Sequence, residues 1–146
     1  MNEQPLWLQA AERELGTCEI AGDCDNKRIV EYHACTSLKA TDDETPWCSA
    51  FINWCMVQAG IKGTNSAAAR SWLDWGIVLT VPIIGCIVIL KRGAPPSGHV
   101  TLYAGADSDP AYIRCIGGNQ SDQVKCSKYP VADVLGYRWP KNVALT

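Results

Sequence analysis

Thr45-Pro46-Trp47-Cys48-Ser49-Ala50-Phe51-Ile52-Asn53-Trp54-Cys55, running on to Ala59-Gly60, carries the punctuation of a helix. Thr45 suits the N-cap, Pro46 the first helical position and Gly60 the C′ position. Phe51, Ile52, Cys55 and Ala59 share a side with Cys48, so that side is expected to face a core. Cys48 then falls in the first turn, where the orphan N–H groups and the positive end of the helix dipole lower the pKa of a thiol. A cysteine so placed needs only a base to become an acyl-transfer nucleophile. Cys55 lies two turns deeper, about 10 Å along the axis. It is too far from Cys48 to bridge, has no helix end beside it, and reads as core.

The 146 residues suit one domain, 1–146, with a real core. Hydrophobic content of 47% against 19% charged is that of a globular protein rather than a disordered one. A net charge of -2 without a basic cluster gives no footing for a nucleic-acid partner. The one long apolar run, Ile77 to Leu90, is short for a bilayer and holds Pro82 and Gly85, so no membrane association is expected. The first residues, Met1 to Trp7, lack a basic region followed by an apolar core and do not read as a secretory signal. Eight cysteines contain no Cys-x-x-Cys pair and only two histidines accompany them, so neither a metal nor another cofactor is expected. Cys115 with Cys126, or Cys18 with Cys24, could pair in an oxidising compartment.

Outward from the central stretch, Pro5–Leu15 reads as a helix with Leu6, Leu8, Ala11 and Leu15 apolar and Gly16 ending it. Asn26 caps a second helix from Lys27 to about Ala34, and Ser66–Trp75 reads as a further one. Beyond Gly76 the pattern becomes β-branched. Strands are expected over Val78–Val81, Cys86–Leu90, His99–Ala104, Tyr112–Ile116, Gln123–Lys128 and Gly136–Trp139, with a turn over Gly117–Ser121. Helices followed by an antiparallel meander predict an α+β fold with the helices packed on one side of the sheet.

Two histidines are available as a base for Cys48. His99 opens a strand after Pro95-Pro96-Ser97-Gly98, where it can face a cleft; His33 sits mid-helix and reads as a boundary residue. A third group must hold the imidazole by its other nitrogen. If the strands on either side of the 105–111 turn pair in a register that opposes His99 and Asn119, Asn119 meets the ring; Gln120 is its rival. Trp47, Ser49, Arg70, Trp72 and Gln120 are candidates for the substrate groove, Arg70 because a guanidinium beside aromatic rings suits carboxylates.

Pro46-Trp47-Cys48-Ser49-Ala50-Phe51, then Gly98-His99-Val100, then Gly118-Asn119-Gln120 resembles the papain-like peptidoglycan hydrolases of the CHAP and NlpC type, above all a small phage and bacterial subfamily with the Pro-Trp-Cys-Ser-Ala-Phe block. The similarity runs from Glu19 through Asn26, Arg28 and Tyr32 to Gly136-Tyr137-Arg138-Trp139. It implies a papain-like fold and a metal-independent Cys-His-polar triad hydrolysing an amide in peptidoglycan. Cys48 would be nucleophile, His99 base and later acid, and Asn119 orienter, with the backbone N–H of Cys48 and a neighbouring donor holding the oxyanion. Three places depart from the pattern. Trp47 stands where NlpC-type enzymes that grip a free amino end carry Asp, Cys86 where an acidic residue often precedes Ile-Val, and Gly117 where many CHAP domains have Glu.

The expected protein is therefore a monomeric cysteine amidase or endopeptidase of bacterial cell wall. It would be made in the cytoplasm and brought to the wall or periplasm by a holin, a virion or a secretion apparatus, and a secreted toxin of this kind would require a cognate immunity protein. Two alternatives use the same residues: a catalytically silent wall-binding module, and an acyltransferase in which an amine replaces water.

Overall fold

In the computed structural model, which describes residues 4–18, 27–36, 47–93 and 97–145, the Cys48 stretch forms the central helix. Three helices come first: α1 (Leu6–Arg13), α2 (Lys27–His33) and α3 (Cys48–Gln58). A 3-10 helix over Ala69–Asp74 takes the place of the longer helix expected there. The strands are β1 (Ile77–Leu79), β2 (Ile87–Lys91), β3 (Gly98–Ala106), β4 (Tyr112–Gln120), β5 (Gln123–Pro130) and β6 (Val134–Trp139). The fold is α+β, as expected.

The two ends of α3 show how local chemistry sets the element. Thr45 and Pro46 lie outside the described residues; Trp47 occupies the N-cap position without a side-chain cap, and Cys48 is the first helical residue. At the other end Gly60 takes φ +74°. Its N–H donates to Val57 O at 2.9 Å while that of Ile61 donates to Met56 O at 2.8 Å. This paired closure needs a left-handed residue, which glycine adopts without strain. The expectation of a one-sided helix is corrected. Every residue from Cys48 to Asn53 is buried, together with Cys55 and Met56, because α3 is enclosed by α1 and α2 and by β3 and β4.

The apolar face of α1 is also rotated from the expected one. Trp7, Leu8, Ala10 and Ala11 are buried, while Leu6 and Leu15 face outward. Trp7 is the anchor. Its indole N–H donates to Gly85 O at 2.7 Å, and its ring meets Trp139 edge-on at 5.0 Å. His33, read as a boundary residue, is completely buried on α2.

All six strands pair antiparallel in the order β1-β6-β2-β3-β4-β5. This is not a plain meander. The chain meanders from β2 to β5, then β6 returns across the sheet and inserts between β1 and β2. That return makes β2 a central strand, and its run Ile87-Val88-Ile89-Leu90 is buried at every position, the pattern of a strand covered on both faces. Between β4 and β5, Cys115 opposes Ser127 and Ile116 opposes Cys126. Cys115 and Cys126 therefore point to opposite faces and both are free thiols, while Cys24 of the other expected pair lies outside the described residues. No described helix is long and apolar enough to cross a membrane.

Candidate active site

The first turn of α3 lies against β3. Around the thiol of Cys48 stand the backbone N–H of Val100, the residue after His99, and the N–H groups of Ser49 and Cys48 itself. These last two are donors that the helix start leaves without intrahelical partners. They favour a thiolate, as does the charge of Arg92. Burial opposes them and prevails: Cys48 is only 6% exposed, and its pKa is raised above the ordinary thiol value. The expected lowering is thus reversed, because taking a thiolate out of water costs more than one helix end returns.

His99 is buried on β3, opposite Leu90 of β2. Its ring is held by Gln120, not by Asn119: His99 Nε2 lies 3.0 Å from Gln120 Oε1. The orientation of the Gln120 amide follows from its other partners. Its Nε2 donates to Cys115 O at 3.2 Å and to Lys125 O at 2.8 Å, so its oxygen must be the atom turned toward the ring. That oxygen also accepts from the Thr101 hydroxyl at 2.8 Å. An acceptor facing Nε2 requires the proton on Nε2, which leaves Nδ1 as the basic nitrogen. His99 Nδ1 is buried without a hydrogen-bond partner. Tyr129 Oη stands 3.3 Å from the same Nε2, where it can accept only a share of that proton. Burial first, and the charge of Arg92 after it, push His99 down to about 4 in spite of Gln120. Near pH 7 both the thiol and the imidazole are accordingly neutral.

Why Gln120 and not Asn119 reaches the ring is a matter of backbone geometry. The pairs Leu102↔Ile116 and Tyr103↔Cys115 belong to the register that would oppose His99 and Asn119. Beyond Gly117 the β4–β5 ladder is bulged, and Asn119 itself takes φ +56°. One left-handed residue breaks the alternation of faces, so the next side chain, Gln120, turns inward beside Thr101 and His99. Asn119 tolerates this conformation better than most side chains. Gly117 is explained by the same arrangement. A Cβ there would lie 2.7 Å from Gln120 Oε1 and run into the Thr101 hydroxyl. The room beside the imidazole is filled from Gln120.

Other expected site residues are placed differently. Trp47, Ser49 and Trp72 are completely buried, which corrects their reading as groove residues. Trp47 stacks on Tyr32 at 5.8 Å. Trp72 donates its indole N–H to Ser49 Oγ at 2.9 Å, and Ser49 Oγ donates to Ser66 O at 2.6 Å. The three form part of the scaffold that fixes the start of α3. Arg70 stays near the site. Its Nε donates to Ser97 O at 2.9 Å, and its stem passes beside Gly98, one residue before His99. Cys86 is completely buried, its thiol pushed up to about 12 by desolvation.

Beside His99 opens a cleft of about 460 Å³ walled by Lys91, Arg92, Tyr129 and Asp133. None of these four was expected from sequence. Tyr129 and Asp133 are distant in the chain from Lys91 and Arg92 and reach the cleft through the β5 pairing and the short turn after it. Among the described residues no three or more His, Cys, Asp or Glu side chains gather in a way that could hold a metal ion.

Compared with known proteins, the chain matches one family model, that of the CHAP domain, over residues 40–119, more than half its length. A search of the curated proteins finds no match.

Proposed function

The chain belongs to the CHAP domain family, and on that premise we propose that it hydrolyses an amide bond of peptidoglycan with Cys48 as nucleophile, His99 as base and Gln120 as the residue that orients the imidazole. CHAP domains are generally cysteine- and histidine-dependent amidases or peptidases, and peptidoglycan is the substrate the family suggests. The observation that carries the assignment is the fixed amide of Gln120. Held by two carbonyls, it selects the tautomer of His99 whose free, buried Nδ1 can take a proton.

The chemistry then runs from a neutral pair. As the sulfur of Cys48 bonds to the scissile carbonyl carbon, its proton passes to His99 Nδ1. The carbonyl oxygen gains the electron pair and is met by the N–H of Cys48 and a neighbouring donor at the helix start. Collapse breaks the C–N bond, the leaving nitrogen takes the proton from His99, and a thioester remains. Water, deprotonated by the same nitrogen, attacks the thioester, and the thiol regains its proton as the acid leaves. An amide orients the ring but lends no charge to imidazolium, which fits a base that is protonated only in passing.

Digestion of purified peptidoglycan by the wild type and by Cys48→Ala, with fragments identified by mass, tests this. Release by the wild type alone supports the nucleophile, and the fragment masses distinguish a sugar–peptide amidase from a peptide endopeptidase. Release by both overturns the role of Cys48. A second reading draws on the burial of that thiol: a wall-binding module that does not cut. It gains the lead if neither protein releases fragments and both sediment with insoluble wall.

A further inference from the structure

The cleft beside His99 carries charges that the reaction does not use. Lys91, the last residue of β2, places Nζ 3.8 Å from Asp133 Oδ1, so these two largely neutralise each other. Arg92 follows immediately, just beyond the point where Lys91 opposes Gly98. It lines the same cleft, is exposed, and has no carboxylate partner among the described residues. Its charge is nonetheless felt by Cys48, His99 and Tyr129 together. On the far side of Gly98, the guanidinium of Arg70 is held on Ser97 O and likewise has no described carboxylate partner. A chain of net charge -2 thus presents a local excess of positive charge at a cleft that borders His99.

We infer that Arg92 is a specificity residue that binds a carboxylate carried by the substrate next to the amide that is cut. This deepens the hydrolase reading and rests on it. A guanidinium offers two parallel N–H donors to a carboxylate, and it does so best where the partner is brought in by the ligand rather than supplied by the protein. Peptidoglycan stems bear free carboxyl groups along the peptide, and amidation of such a group removes the charge while hardly changing its shape. The pair of forms is therefore a direct probe of Arg92.

Two soluble stem peptides are compared, identical except that the carboxyl flanking the scissile amide is free in one and a carboxamide in the other. The wild type should favour the free acid by about tenfold or more in kcat/KM, the usual worth of a hydrogen bond to a charged group. Arg92→Gln should erase that preference, bringing the ratio of kcat/KM for acid over carboxamide to about one chiefly through a raised KM for the acid, and Arg92→Lys should retain part of it. Arg92 is exposed, so melting temperatures of the variants should match the wild type. The same comparison is made by calorimetric binding in a Cys48→Ala background, with and without Arg92→Gln, which reads recognition apart from cleavage. Loss of the preference in both readouts, or in binding alone where neither peptide is cut, supports the inference. An acid preference that survives Arg92→Gln, or no preference in the wild type and in Cys48→Ala, overturns it. Failure of the wild type to cut either peptide, with the binding preference intact, overturns the hydrolase reading alone.

Discussion

Replacing Gln120 by Leu keeps the volume of a side chain only 2% exposed and deletes its whole set of polar contacts. Four groups lose their partner: His99 Nε2–H, the Thr101 hydroxyl, Cys115 O and Lys125 O. At about 1 kcal/mol for each buried group left unsatisfied, the sum is about 4 kcal/mol. Rotation of the Thr101 hydroxyl and the nearness of Tyr129 to the ring recover part of it, so we expect about 3 kcal/mol. For a chain of this size that is a fall of about 10 °C in melting temperature. The catalytic loss should be larger in proportion, because an unanchored imidazole no longer holds Nδ1 ready; a base lost in this way costs about 10²- to 10³-fold in kcat. Asn119→Gly is the control. It meets the same φ of +56° without a Cβ, so stability should hold and activity should stay within about threefold of wild type. Urea denaturation gives the first quantity and release of peptidoglycan fragments the second. If Asn119→Gly silences the enzyme while Gln120→Leu spares it, the assignment of the orienting residue is refuted.

Three further outcomes follow from the same geometry. Because burial holds His99 at about 4 against an ordinary 6.5, the unfolded chain binds more protons in that window; stability should be complete above pH 6.5 and fall by about 3 kcal/mol toward pH 4, a slope that denaturant melts should find flattened in His99→Gln. Iodoacetamide at pH 7 should label the exposed Cys126 before the buried Cys48, whose rate should climb with pH past 9 since its thiol is raised; peptide mapping that found Cys48 labelled first at neutral pH would contradict the neutral-pair description. Gly118→Ala should cost about 3 kcal/mol, read by the urea midpoint, because a Cβ there would stand 2.6 Å from Trp47 Cζ3 and 2.7 Å from Phe51 Cβ.

What could be read from the chain followed the range of the interactions involved. Gly60 ends α3 through bonds to residues three and five back, and all six strands lie close to where β-branched runs and breaks at Pro82, Gly85 and Gly98 put them. The insertion of β6 between β1 and β2 depends on pairings across half the chain and leaves no local trace. That His99 stands at the head of a strand was legible from the Pro- and Gly-rich stretch before it. The choice between Asn119 and Gln120 was not, since the rule of alternating faces holds only while φ stays negative. Trp47 and Trp72 were expected to line a groove, but a tryptophan reads alike whether it lines a cleft or, like these two, fills a core. The thiol of Cys48 was expected low from its helix end; the burial that raises it comes from packing between elements remote in sequence.

Gln120 draws one of its two anchoring carbonyls, Lys125 O, from β5, the last strand of the sheet. On its outer side β5 is tied at Val124, which exchanges hydrogen bonds with Gly16 and Thr17, and at Gln123, which bridges to Cys18. Cys48 and His99 are buried, yet the alignment of the imidazole is mortgaged to a border strand, where opening is easiest. Fraying of that hairpin would free the amide of Gln120 to turn over and the imidazole to change tautomer while α3 and the inner strands remain folded. Warming should therefore switch the proposed hydrolysis off reversibly at temperatures where most amide protons of the chain are still protected from exchange.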